Sequence, residues 1–494
     1  MTDAYDRRLS TGIDGLDTVL NGGLFPNRAY MATGDPGTGK TLLGLHFLTA
    51  GRDAGETGLF VNLEETATAI ERNAASFGVD MDGIEFLDLT PDVEAFTGDE
   101  SYSVFSPAEV EGADIAGSIT DSIDSIDPDR VFVDPITQLR MLAPDEYQFR
   151  KQVTGLVQLL KGHDATVLFA SEATESKPDD DLRYLSDGTL ELTRAPQGRR
   201  IAVPKLRGSE TAHGPHTVRI TDAGMEVFPV LTPGEHTASF AATTVSSGVP
   251  EVDELLKGGL ERGTVTVLSG PSGVGKTTLG TQFMKEAAGR GERSVIYMFE
   301  ESTQTFVERS RHVNIPVTEM CDRGTLAIEE VEPSQVSPDE FADMVRTEVE
   351  ARDAKLVMID GIEGYRLSLR GDDDDLTQEL NALGRYLRNM GVTVVLVDAV
   401  DSVTGDFQAT KSGVSYLADN LVFLRYLELQ GELRKAIGIL KNRTSDFERT
   451  LREFEITRHG IKVGEPLQNM RGILSGTPEF VEDRPAPANT GDRR

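Results

Sequence analysis

The chain has 494 residues, 38% of them hydrophobic, and a formal net charge of -33. That length exceeds what one hydrophobic core sustains, so two domains are the default expectation. The single cysteine, Cys321, excludes an intramolecular disulfide; no apolar run approaches membrane-spanning length, and "MTDAYDRRLS" lacks the apolar stretch of a signal peptide, so a cytoplasmic protein is expected.

Lysine is scarce, 13 against 36 arginines. The acidic excess is spread along the chain, which suits a hydrated surface in a high-salt cytosol better than a local patch that repels acidic partners. Such a surface opposes broad binding to nucleic acid or anionic membrane at low salt.

In chain order, the first half offers short apolar strands in "RAYMATG", "TGLFVNLEE", "DRVFVD", "ATVLFASE" and "GTLELTR". Residues 230–244, "VLTPGEHTASFAATT", are rich in Pro, Gly, Ser and Thr and mark a join. The second half then supplies "TVTVLSG", "RSVIYMFEE", "KLVMID", "VTVVLVDA" and "DNLVFLRY". Near-continuous apolar runs suit mainly parallel sheets buried on both faces, so two tandem α/β domains with helices on both sides are predicted. The expected organisation is a first domain over 1–232, a linker over 233–245 and a second domain over 246–478. The polar, Pro-bearing residues 479–494 are expected to form a disordered tail.

The halves are copies. Residues 10–41 and 246–277 align without gaps, with 12 of 32 positions identical. The offset of 236 residues also carries Glu64 to Glu300 and Lys205 to Lys441. A period this long means tandem domains, not a solenoid.

Each copy opens with a phosphate-binding loop. Gly34-Asp35-Pro36-Gly37-Thr38-Gly39-Lys40-Thr41 and Gly270-Pro271-Ser272-Gly273-Val274-Gly275-Lys276-Thr277 both fit G-x-x-x-x-G-K-[ST]. The glycines let successive backbone N–H groups face one anion, and the following helix turns its positive end to it. Lys40 and Lys276 are expected to reach the β- and γ-phosphates of ATP, and Thr41 and Thr277 to ligate Mg2+. Asp134 ends "RVFVD" and Asp360 ends "KLVMID", the strand-end carboxylates that a Mg-nucleotide site requires. Glu64-Glu65 and Glu300-Glu301, read as strand ends with the members of each pair facing opposite ways, are the catalytic candidates. One carboxylate is expected to polarise the attacking water or hydroxyl, and the other to tune it or bind a neighbour.

At these residues the chain resembles the KaiC family, RecA-type ATPases of the circadian clock and their archaeal relatives. The likeness covers about residues 8–478 and extends to "SDGTLELTRAPQGRRIAVPKLRGSETAHG" and "ADNLVFLRYLELQGELRKAIGILKNRTSDFERTLREFEIT". The resemblance implies two tandem RecA-like domains and a homo-hexamer with nucleotide between subunits. Lys205, Leu206 and Arg207 would enter the neighbour's first-domain site, and Lys441 and Arg443 the neighbour's second. It implies nucleotide contact by Ser76, whereas Val313 replaces an aromatic expected over the base. It also implies an acceptor pair before Asp419 in "ATKSGVSYLADN", where Ser415 matches the acceptor Ser and Tyr416 replaces the Thr.

Three functions compete at this stage. The first is a double-ring ATPase in signalling or timing, with Ser/Thr autokinase activity at Ser415 as an extension. The second is an ATP-gated scaffold for an unnamed signalling protein. The third, DNA handling, ranks last, because channel loops that grip single strands are basic. Residues 73–129 hold no Lys or Arg, "SEATESKPDDD" is acidic, and the loop after "VLVDA" carries only Lys411.

Overall fold

The computed structural model describes residues 7–90, 107–141, 143–172, 179–195, 198–332, 335–368, 373–400, 414–429, 431–443, 446–467, 470–471 and 479–480. The chain divides into two compact units, residues 1–230 and 231–494.

The first unit is built on a nine-stranded sheet. Its strands are β1 (Ala29–Thr33), β2 (Gly58–Asn62), β3 (Ile84–Asp88), β4 (Arg130–Asp134), β5 (Thr166–Ser171), β6 (Gly188–Ala195), β7 (Gly198–Leu206), β8 (His216–Thr221) and β9 (Gly224–Phe228). Their order is β3-β2-β4-β5-β1-β6-β7-β8-β9; the first six are parallel, and β6 to β9 continue as antiparallel hairpins.

Side chains alternate across this sheet as strand geometry requires. Tyr30, Ala32 and Phe132 face one core layer with the helices Lys40–Asp53 and Ala67–Ser76, while Ala29, Met31, Val131 and Val133 face the other. That second layer is closed by Pro107–Ile126 and Glu146–Gly162. Apolar on both faces, the strands lose the polar alternation of a one-sided sheet, as expected.

The second unit repeats the plan with β10 (Val265–Gly270), β11 (Arg293–Met298), β12 (Leu326–Glu330), β13 (Ala354–Asp360), β14 (Thr393–Ala399), β15 (Asn420–Leu429), β16 (Glu432–Asn442), β17 (Arg452–Thr457) and β18 (Gly460–Pro466). The order is β12-β11-β13-β14-β10-β15-β16-β17-β18. Gly44 and Gly280 let each phosphate-loop helix lie close on its sheet. A Cβ at Gly44 would come within 2.2 Å of the Phe132 ring, and one at Gly280 within 2.4 Å of Met358 Sδ.

Two expectations are corrected. The five strands read in each half understate the sheets, because β3 and the antiparallel hairpins carry weaker apolar runs. The strands read through "NLEE" and "MFEE" stop at Asn62 and Met298, so both Glu pairs lie in the bends beyond. Residues of the join touch the second unit. Asn389 Nδ2 donates to the Pro233 carbonyl at 2.8 Å, and Ala238 N–H donates to the Asn389 carbonyl at 3.0 Å. His236 Nδ1 lies 2.8 Å from Glu350 Oε1, and the His236 ring packs edge-on against Tyr386. In the expected tail, Glu479–Phe480 pair with Met470–Arg471, and residues 481–494 lie outside the described residues. No helix among the described residues is long and apolar enough to cross a membrane.

Candidate nucleotide site

In each unit the phosphate loop joins the central strand, β1 or β10, to the helix that starts at Lys40 or Lys276. Gly39 and Gly275 cap those helices at φ 110° and 117°. That backbone region strains any residue with a Cβ. A Cβ there would also meet Ile220 and Met225 in the first unit, or Ile456 in the second, within 3 Å. Thr38 is buried with Oγ1 donating to the Asp35 carbonyl at 2.8 Å, and the Val274 side chain is in the core, so these two positions present backbone to a ligand.

The loop lysines are folded back. Lys40 Nζ donates to the Gly34 and Asp35 carbonyls at 2.8 and 3.1 Å and meets Glu172 Oε1 at 3.2 Å. Lys276 Nζ donates to the Gly270 and Pro271 carbonyls at 2.7 and 2.9 Å. Burial lowers the Lys276 pKa, opposed by Asp360, Glu300 and Asp398.

Thr41 Oγ1 donates to Asp134 Oδ2 at 2.6 Å, and Thr277 Oγ1 donates to Asp360 Oδ1 at 3.0 Å. Burial pushes both carboxyls up to about 6. The bond from Thr41 and the charge of Lys40 oppose the rise at Asp134; the bond from Thr277 and the charge of Arg309 oppose it at Asp360. A buried carboxylate beside a hydroxyl, poor in fixed positive charge, fits a hard divalent cation of Mg2+ type with oxygen ligands.

Strand register brings the glutamates to the same place. Asn62 pairs with Asp134 and Met298 with Asp360, and the next amides, Leu63 N and Phe299 N, donate to the Asp134 and Asp360 carbonyls. Glu64 and Glu300 therefore follow the paired residue by two positions in both units. The second members are tied down differently: Glu65 Oε2 accepts from Asn73 Nδ2 at 3.3 Å, while Glu301 Oε2 forms a 2.8 Å ion pair with Arg309.

In the first unit these groups line one cavity of about 580 Å³. Its lining combines the polar Lys40, Thr41, Glu64, Glu65, Asp134 and Glu172 with the apolar Leu45, Ile70, Ala74, Phe77 and Ile220. That volume and mixed lining suit a mononucleotide. Ser76 does not line it; its Oγ donates to the Asn73 carbonyl at 2.7 Å.

Of the residues expected to act on a neighbour, Lys205, Leu206 and Arg207 do not line this cavity of their own unit. Lys205 Nζ donates to the Arg183 and Ser186 carbonyls, both at 2.6 Å, and Lys441 Nζ to the Ser415 carbonyl at 2.8 Å. Burial, then the neighbouring arginine, Arg207 or Arg443, lowers the pKa of each lysine. Arg207 pairs with Asp187 at 3.3 Å, Leu206 packs on the first-unit core, and Arg443 is exposed. Ser415 is half-buried, and Tyr416 beside it is 46% exposed with its hydroxyl donating to the Thr377 carbonyl at 3.2 Å. Lys411 lies outside the described residues.

Sequence reasoning missed Glu172, although it closes the quoted strand "ATVLFASE", because 132 residues separate it from Lys40. It also missed Asn73 and Arg309, which the 236-residue offset relates.

A parallel sheet whose central strand feeds a glycine loop, with a Thr–Asp pair and strand-adjacent glutamates, defines a RecA-like P-loop ATPase domain, here present twice. The family model for the KaiC ATPase matches residues 9–232 and again 245–468, and the chain belongs to that family. Among its relatives, the circadian clock oscillator protein KaiC of Parasynechococcus marenigrum is 28% identical over 505 residues, covering 97% of this chain and 94% of that protein. The protein of the same name from Synechococcus elongatus is 28% identical over 490 residues, covering 96% and 92%. The circadian clock oscillator protein KaiC 1 of Synechocystis is 27% identical over 490 residues, covering 96% and 92%.

Proposed function

We propose that this chain is a Mg2+-dependent, double-ring ATPase of the cytoplasm that works in signalling or timing. The observation that carries the reading is the repeated constellation of Lys40, Thr41, Asp134 and Glu64, matched by Lys276, Thr277, Asp360 and Glu300. Mg2+ held by the threonine hydroxyl and the aspartate side would neutralise polyphosphate charge. Glu64 takes a proton from water in the first half, and Glu300 serves as base for water or an acceptor hydroxyl in the second. Lys40 and Lys276 leave their loop carbonyls to bind the phosphates.

The relatives' name, circadian clock oscillator protein, supports timing as the biological setting. The hexamer is the assembly in which Lys205, Leu206, Arg207, Lys441 and Arg443 serve a neighbour's site; that Lys205, Leu206 and Arg207 do not line the cavity of their own unit supports this division of labour in the first half. A homo-hexamer and one further signalling protein are the proposed partners, with neither nucleic acid nor membrane. Ser415 is the proposed phosphoacceptor of the second half, one Ser/Thr acceptor where the clock relatives' pattern has two, with Tyr416 in place of the Thr.

Intact mass after incubation with Mg-ATP, together with phosphate release, tests the reading. Steady phosphate release with an 80 Da addition that is lost in Ser415→Ala fits an ATPase with autokinase activity. Release without added mass leaves the ATPase alone, and nucleotide binding without release favours the ATP-gated scaffold.

A further inference from the structure

Lys40 is 6% exposed, and its ammonium group meets three acceptors: two loop carbonyls and the Glu172 carboxylate. An ammonium group has three protons to donate, so all three are engaged. A phosphate oxygen that binds Lys40 must displace one acceptor. The carbonyls belong to the loop itself, whereas Glu172 comes from the end of β5 and is 35% exposed within the cavity, with space to swing aside.

The second half is built differently at the same place. Ser171 pairs with Thr33, which sets Glu172 opposite Gly34; in the second unit the residue paired with Gly270 is Ala399. Lys276 keeps the two carbonyl bonds; Ala399 offers it no carboxylate, and the acid on that strand is Asp398, buried one position earlier, whose charge also acts on Lys276.

We infer that Glu172 is a resident counter-anion of Lys40 that nucleotide phosphate must displace, and that it makes the first half, unlike the second, discriminate against nucleotide that arrives without its metal. This rests on the nucleotide reading above. The displaced carboxylate stays in the same cavity and repels the polyphosphate. The repulsion grows with ligand charge and shrinks when a divalent cation neutralises the phosphates. Glu172 is thus a positioning residue acting through Lys40, and it biases the first half toward the Mg-loaded ligand.

The test uses full-length protein with one site disabled at a time and reads binding by calorimetry. In a Lys276→Ala background, Glu172→Gln is expected to tighten metal-free ADP (with EDTA present) about tenfold and Mg-ADP about twofold. In a Lys40→Ala background, Ala399→Glu is expected to weaken metal-free ADP at the second site more than Mg-ADP. A purely structural role for Glu172 would move both ligands equally, and thermal unfolding of each variant shows whether the fold is kept. Equal shifts for the two ligands, or weaker metal-free binding in Glu172→Gln, overturn the inference while leaving the nucleotide reading intact. Absence of any nucleotide binding by the Lys276→Ala parent, with binding by wild type, overturns the assignment of the first site and the inference with it.

Discussion

Thr41 and Asp134 stand 93 residues apart in sequence, yet their side chains share a 2.6 Å hydrogen bond at the mouth of the phosphate loop. Thr277 and Asp360 make the corresponding bond at 3.0 Å across 83 residues. The pairing holds each hydroxyl beside its carboxylate, the arrangement that the proposed metal side of each site would use.

Two sites per chain should be countable. Wild type is expected to bind two equivalents of Mg-ATP, and Lys40→Ala or Lys276→Ala one each. Equilibrium dialysis gives the stoichiometry. An unchanged count of two in either variant would remove that lysine from the phosphate site.

Glu64→Gln and Glu300→Gln keep the shape of the side chain and remove its ability to take a proton. Each is expected to leave nucleotide binding within about twofold and to cut turnover at its own site by about a hundredfold or more. Single-turnover kinetics in backgrounds that lack the other lysine separate the halves.

Burial holds Asp134 and Asp360 at about 6, above the 3.8 of an unperturbed aspartate. Between those values the folded chain retains protons that the unfolded chain has released. Stability from these groups is therefore full below about pH 4 and lost as pH rises through about 6. Asp134→Asn and Asp360→Asn are expected to stabilise the nucleotide-free protein near pH 7.5 by about 1–2 kcal/mol each, read as a higher Tm, and to change it little near pH 4. Mg2+ should stabilise wild type at the higher pH and lose that effect in the double variant; thermal unfolding with and without the ion decides.

Arg309 places a cation beside Glu301 where the first half has neutral Asn73 beside Glu65. The pair is partly exposed, so Arg309→Asn should cost less than about 1 kcal/mol of stability. Freed of its partner, Glu301 makes the second site more negative. The half-saturating Mg2+ for turnover at that site is expected to fall about threefold at low salt, and less at high salt.

Much of the architecture was legible because it is local. The glycine spacing of residues 34–41 names a phosphate loop, and the two-faced apolar runs in "RVFVD" and "KLVMID" name buried parallel strands. Asp134 and Asp360 could be read from their place at the ends of those strands. Glu172 could not, since its meaning depends on β5 lying beside β1, a neighbour relation set by strand order. The join over residues 233–245 was legible as a linker from its turn-forming residues, but composition is silent on what they touch; Asn389 and Glu350, which contact it, lie more than a hundred residues away.

By itself, then, the sequence determined the duplicated RecA-like plan, the two phosphate loops and the residue types at each metal side, because backbone conformation and burial patterns repeat over short stretches of chain. Tertiary structure alone decided which carboxylate faces which cation: Glu172 on Lys40, Arg309 on Glu301, and the glutamate pairs set in bends beyond their strands. Charge interactions depend on distance in space and on desolvation, and both are fixed only when strands distant in sequence are laid side by side.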